Sequence, residues 1–162
     1  MTALPAADGA YQEDNSMSLA EVLEQDGYRR IPLTRTSVGH FETPGTLNGR
    51  PIRVLIDTGA SSTAVSLSLS RELGLEIVPL GRTGGGAGGA NLEIFELRDA
   101  DLILDQVRPR PRAIYAMDFT HVNEALARKG APLVDAILGV DVFEAQSAVI
   151  DYASSSLFLR AT

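Results

Sequence analysis

The chain has 162 residues, is 44% hydrophobic, contains no cysteine and carries a formal net charge of -7. This length fits one globular domain with its own core. The lack of cysteine excludes disulfides, thiolate metal sites and a cysteine nucleophile, and the acidic balance argues against nucleic acid as a partner.

The N-terminal part of the chain is predicted to differ from the rest. Residues 1–30 are expected to form a tail with a short helix, and residues 31–162 are expected to form the folded domain. Ser18 and Glu21 have the spacing of a capping box, and Gly27 is a helix stop. The N-terminus lacks the basic and apolar regions of a signal peptide, and no apolar run is long enough to span a membrane. We therefore expect no membrane segment and a cytoplasmic location for the chain as given. A periplasmic or membrane-tethered location is the alternative if an N-terminal signal has been removed.

Short strands are predicted over most of the remaining chain. Asn48-Gly49 stands between two apolar runs and predicts a tight hairpin whose second strand ends at Asp57. Further short helices are predicted over residues 68–73 and 120–129, the second with Val122, Ala125 and Leu126 on its inner face. This pattern favours a mainly β, barrel-like domain with two or three short helices.

Residues 81–90 contain six glycines and stand between two strand-like segments, so they predict a hairpin tip. The run formally contains G-x-G-x-x-G at Gly84, Gly86 and Gly89. A dinucleotide fingerprint must open a helix, whereas the residues that follow here are typical of a strand. Nucleotide binding is therefore rejected.

Other site chemistries find little support in the sequence. His40 and His121 lie in separate segments without a carboxylate at a metal-ligand spacing, so we expect no metal and no cofactor. A serine hydrolase would need a nucleophile elbow, and no G-x-S-x-G occurs.

The segment VLIDTGASST, residues 54–63, ends an apolar run on Asp57 and continues with small residues. One interpretation is that Asp57 caps a turn. The other is chemistry, because two acids about 3 Å apart share a proton and can act as base toward water and acid toward a leaving amine. Gly59 would let two such loops approach closely, and the Thr58 hydroxyl would tie one loop to its mate. The tripeptide alone leaves both interpretations open.

The order of three segments adds to this signal. Residues 56–61 (IDTGAS), the glycine-rich hairpin and residues 137–143 (ILGVDVF) together resemble the retropepsin-like aspartic proteases (clan AA), especially their bacterial single-domain type. The resemblance covers roughly residues 31–159. It implies a closed β-barrel of the acid-protease fold, with the glycine-rich hairpin as a flap over the substrate.

The resemblance also implies roles for particular residues. Asp57 would be the catalytic acid. Support of its loop falls to Thr58, Gly59 and Ala60. Substrate binding in the cleft and flap falls to Ser61, Gly84, Gly85, Gly86, Ala87, Gly88 and Gly89. The segment packed behind the loop is Ile137, Leu138 and Gly139.

Asp-Thr-Gly occurs once in the chain, and no Asp-Ser-Gly occurs. One chain therefore supplies half of a carboxylate pair, and the expected enzyme is a homodimer with Asp57 of each subunit at the two-fold axis. The predicted function is an aspartic endopeptidase acting on a peptide or protein substrate. The alternative is a non-catalytic dimer that uses the same cleft as a peptide-binding or assembly module.

Overall fold

Strands outnumber helices in the computed structural model of the chain, which describes residues 16–86 and 89–161. The strands are β1 (Tyr28–Pro32), β2 (Thr34–Arg35), β3 (Phe41–Leu47), β4 (Arg50–Ile56), β5 (Ala64–Ser66), β6 (Glu76–Gly86), β7 (Gly89–Arg98), β8 (Leu102–Ile103), β9 (Ile114–Met117), β10 (Ala136–Leu138), β11 (Val149–Asp151) and β12 (Ser156–Arg160). The helices in these residues are α1 (Leu19–Gln25), α2 (Leu67–Glu72), α3 (Thr120–Arg128) and α4 (Val140–Ala145). Residues 1–15, the first half of the predicted N-terminal segment, lie outside the described residues. Within them, no helix is long and apolar enough to cross a membrane.

The strands form two sheets that share one core. One sheet has the order β2-β3-β4-β10-β5-β9-β7-β6 with β8 on β3, and the other has the order β1-β12-β11. Fully buried side chains from both sheets, such as Ile31 and Leu157 from the small one and Val54 and Leu138 from the large one, belong to the same cluster. The predicted mainly β fold is confirmed. β1 spans the position between residues 30 and 31 at which the sequence analysis divides the chain, and that division stays a prediction.

The apolar run before Asp57 is buried on both faces of the large sheet. Val54 and Ile56 face the main core, while Leu55 belongs to a second cluster with Ile137 and residues of the α3 region. This double burial explains why the run is continuously apolar rather than alternating.

Two local predictions are confirmed. The hairpin at Asn48-Gly49 joins β3 to β4, with both residues at positive φ (47° and 80°) as a tight hairpin turn requires. The capping box of Ser18 and Glu21 begins α1. The apolar face of α1 is partly uncovered, because Leu19 is 50% exposed.

The helices at the C-terminal half differ from the prediction in two respects. On the inner face of α3, Leu126 is buried and Val122 half-buried, but Ala125 is exposed, so its assignment to the inner face is wrong. Residues 16–86 and 89–161 also contain four helices rather than two or three, because residues 137–143 divide into the end of β10 and the start of α4. Gly139 makes the division with an extended backbone, φ -108° and ψ -177°.

The glycine-rich hairpin is formed by β6 and β7. The ladder continues to Gly84↔Leu92 and Gly86↔Gly89, so the strands extend further into the glycine run than predicted. Backbone pairing needs no side chains, which explains why glycines can continue the ladder. The register shifts between Pro79 and Thr83 and again between Gly84 and Gly86.

Candidate active site

The Asp57 loop, residues 57–63, joins β4 to β5. These two strands are not adjacent in the sheet, because β10 lies between them, and the loop passes over the end of β10. β10 pairs parallel with β4 and antiparallel with β5. The Asp57 amide donates to the Leu138 carbonyl at 3.1 Å, which extends the β4–β10 pairing by one residue into the loop. Asp57 is thereby attached to the sheet, half-buried, at the point where the strands end.

The loop turns immediately after this attachment. The Gly59 amide donates to Asp57 Oδ1 at 2.8 Å, and the Ala60 amide donates to the Asp57 carbonyl at 3.2 Å. Asp57 therefore caps a turn, as one of the two interpretations held. The turn uses only Oδ1, and no hydrogen bond to Oδ2 occurs among the described residues. The two interpretations are consequently compatible.

Gly139 lies directly behind the Asp57 loop. A Cβ atom at Gly139 would lie 2.7 Å from both the carbonyl carbon and the oxygen of Ser62, and 2.8 Å from the Ala60 oxygen. The next amide, that of Val140, donates to this Ala60 oxygen at 2.8 Å. The structure thus brings Leu138 and Gly139 against the loop. The Ile137 side chain packs in the second cluster beside Leu55.

Thr63 and Asp141 complete this contact, and the sequence analysis missed both. The Gly139 amide donates to Thr63 Oγ1 at 3.2 Å, and the Thr63 hydroxyl donates to Asp141 Oδ1 at 2.8 Å. Thr63 is 0% exposed. The available signal was a lone acid in the apolar segment ILGVDVF, the same signal that singled out Asp57.

The glycine-rich hairpin of β6 and β7 lies at the far end of the sheet. β7 pairs with β9, and β9 pairs with β5, which begins where the Asp57 loop ends. The Arg82 guanidinium lies 5.8 Å from the Tyr115 ring centre and links β6 to β9. No hydrogen bond joins the described part of this hairpin to the Asp57 loop. Ala87 and Gly88 lie outside the described residues.

The remaining predicted site residues lie on the open side of the loop. Thr58, Gly59 and Ser61 are exposed, while Ala60 is half-buried and packs on the second cluster. Among the described residues, no group of three or more His, Cys, Asp or Glu side chains could hold a metal ion.

Comparisons with known proteins identify the family and the fold of the chain. A family model described as aspartyl protease matches residues 43–142, which is more than half of the chain and runs from within β3 to the first half of α4. A curated relative, the uncharacterized protein in the cobV 5′ region of Sinorhizobium sp, is 34% identical over 55 residues. That match covers 34% of this chain and 24% of the relative, so the chain matches about a quarter of the relative's length.

Two solved structures share the fold. The retropepsin-like aspartic protease from Rickettsia conorii superposes with a TM-score of 0.50 at 22% identity, covering 82% of this chain and 90% of that one. The retroviral protease-like domain of Ddi1 from Leishmania major superposes with a TM-score of 0.50 at 18% identity, covering 75% and 88%. At these identities the likeness concerns the fold alone, while the family follows from the matched model. The chain belongs to the aspartyl protease family and has the retropepsin-like fold.

Proposed function

We propose that this protein is an aspartic endopeptidase in which two Asp57 carboxylates, one from each subunit of a homodimer, activate a water molecule. The observation that carries the proposal is the Asp57 carboxylate itself. It stands at the end of β4 with Oδ1 held by the Gly59 amide and the loop braced by Gly139. Membership of the aspartyl protease family supports the same assignment.

The need for two chains follows from the number of acids. Peptide hydrolysis by this route needs one carboxylate as base and one carboxylic acid as proton donor. The chain contains Asp-Thr-Gly once. An isologous dimer would place the two copies of Asp57 on its two-fold axis, and the exposed Thr58 and Gly59 would allow the loops to approach.

In the proposed reaction, the ionised carboxylate takes a proton from water as the water oxygen bonds to the peptide carbonyl carbon. The carbon–nitrogen bond then breaks, and the leaving amine receives the proton held by the pair. Water is the nucleophile, so no covalent enzyme intermediate forms. Backbone groups of the flap, residues 84–89, would hold the substrate main chain and exclude bulk water, with Ser61 beside the cleft.

The proposed function predicts acid-favoured cleavage that depends on Asp57. Two carboxylates about 3 Å apart hold one proton between them, and activity falls as pH rises and that proton leaves. Cleavage of a peptide library between about pH 3 and pH 8 should be highest at the acid end. Asp57→Asn should lower kcat by more than about 100-fold, the scale of general acid–base catalysis.

The matched control is Asp105→Asn, which makes the same change on an exposed loop. Asp105 has φ 43°, a backbone conformation that Asn tolerates. This variant should cleave at the wild-type rate. Cleavage by Asp57→Asn at the wild-type rate would make the assignment wrong. If neither wild type nor variant cleaves any peptide, the non-catalytic dimeric peptide-binding or assembly module becomes the better account.

A further inference from the structure

A chain of two hydrogen bonds runs behind the Asp57 loop and has no part in the reaction described above. The Thr63 hydroxyl accepts from the Gly139 amide and lies 2.8 Å from Asp141 Oδ1. An amide can only donate, so the single hydroxyl proton of Thr63 is directed to Asp141. Asp141 is therefore the acceptor that fixes which way the Thr63 hydroxyl points.

Asp141 is an unusual residue for this position. It stands in the first turn of α4, inside the apolar segment that backs the loop. Its second oxygen, Oδ2, is buried and has no hydrogen-bond partner among the described residues. A buried polar atom without a partner is unfavourable and calls for an explanation other than stability.

The first residue and the middle of the Asp57 loop are both bonded to the backbone around Gly139. The Asp57 amide bonds to the carbonyl of Leu138, and the Val140 amide bonds to the carbonyl of Ala60. Thr63 holds the amide of Gly139 between these two contacts. A shift of Gly139 would therefore move Asp57 and Ala60 together.

We propose that Thr63 and Asp141 are positioning residues, which lock Gly139 against the Asp57 loop and thereby set the direction of the Asp57 carboxylate. This inference rests on the proposed function, in which that direction matters for proton transfer. Neither side chain touches the substrate in this scheme. Their effect should consequently fall on kcat and leave KM nearly unchanged.

Paired substitutions separate this role from simple packing. Thr63→Val keeps the shape and removes the hydroxyl, whereas Thr63→Ser keeps the hydroxyl. Asp141→Leu removes the acceptor, whereas Asp141→Asn keeps an oxygen that can accept the same proton. We expect Thr63→Val and Asp141→Leu to lower kcat by about 10- to 100-fold, the effect of a misplacement of about 1 Å. The Ser and Asn variants should stay within about threefold of wild type, and KM should stay within about twofold in all four.

Amide hydrogen exchange gives a second readout that does not require proteolysis. Thr63→Val should speed exchange at Gly139, Val140 and Asp57, because the bonds of these amides depend on the lock. Exchange of the amides that pair β1 with β12 should not change, because these strands lie in the other sheet. Thr63→Ala offers the same test if Thr63→Val does not fold, since a smaller side chain fits the same space.

The outcomes distinguish the inference from the proposed function. Unchanged kcat and unchanged exchange in Thr63→Val would overturn the positioning role. A loss of kcat that the Ser and Asn variants share equally would also overturn it, because then the methyl group of Thr63 or the charge of Asp141, and not the hydrogen bonds, would matter. If wild type shows no Asp57-dependent cleavage, the proposed function fails, and the exchange pattern alone decides whether Thr63 and Asp141 fix the loop.

Discussion

Gly139 is glycine for reasons of space and not of backbone angle. Its φ of -108° is available to any residue. The atoms that a Cβ would meet belong to the backbone of Ser62 and Ala60, which cannot rotate away as a side chain could. The close approach of two backbones is therefore the property that the site requires of this residue.

Gly139→Ala should displace the Asp57 loop. The added methyl group would have to push Ser62 and Ala60 outward, and Asp57 would move with them. We expect kcat to fall by about 100-fold and the free energy of unfolding to fall by about 1–3 kcal/mol. Peptide cleavage and urea denaturation of the same preparation measure the two effects.

Gly45→Ala is the matched control for this substitution. A Cβ atom at Gly45 would lie 2.7 Å from Leu104 Cδ2 and 2.8 Å from the Ile103 oxygen, a similar degree of crowding away from the Asp57 loop. It should lower the free energy of unfolding while kcat of the folded protein stays near the wild-type value. An equal loss of kcat in both variants would contradict the claim that Gly139→Ala acts by displacing the Asp57 loop.

At the scale of elements, the turn between β11 and β12 holds a carboxyl group whose ionisation is coupled to folding. Hydrogen bonds from the Ser154 hydroxyl and then from the Ala153 amide hold the pKa of Asp151 below its ordinary value. Because the pKa is lower in the folded state, these bonds stabilise the fold at pH values above the unfolded pKa. The stabilisation is lost as pH falls through the folded pKa.

Ser154→Ala should raise the pKa of Asp151 toward its ordinary value, since the largest of these effects is removed. The carboxyl carbon of Asp151, followed by NMR during an acid titration, should change its shift at higher pH in the variant. Asp118 is the internal control, because a hydrogen bond from Thr120 lowers its pKa in a separate loop. Its titration should be the same in both proteins, and an unchanged Asp151 titration would contradict the assigned cause.

Elements with a local signature could be predicted from the sequence, and those without one could not. The β3–β4 hairpin was predictable from Asn48-Gly49, and α1 from its capping box, because a few neighbouring residues determine each. β10 and α4 have three and six residues and follow one another inside a single apolar segment, too short for a period to be read. The extent of β6 and β7 was equally hidden, because glycines carry no side-chain pattern.

The candidate site also contains residues with a local sequence signature and residues without one. Asp57 could be found because its acid stands out at the end of an apolar strand. Thr63 could not, because its role depends on Gly139 and Asp141, which the chain brings to it only through the pairing of β10 with β4 and β5. Pairing of this kind is a property of the whole fold and leaves no mark near Thr63 in the sequence.

At the scale of the whole molecule, the proposed dimer predicts how activity responds to inactive subunits. In a 1:1 mixture of wild type and Asp57→Asn, refolded together from urea, random association would leave about one quarter of the dimers with two Asp57 residues. Cleavage should therefore fall to about one quarter of that of wild type at the same total concentration. A fall to one half would indicate that each subunit acts alone and would contradict the shared site.

The hydrogen bond between the Asp57 amide and the Leu138 carbonyl also affects when the site forms during synthesis. A ribosome produces the Asp57 loop about eighty residues before the strand that braces it, and such distant pairings form late because the intervening chain must first be closed into a loop. A nascent chain thus carries its acid on an unbraced segment until synthesis has passed Gly139. On the proposed function, an individual chain is therefore inactive until synthesis has passed Gly139.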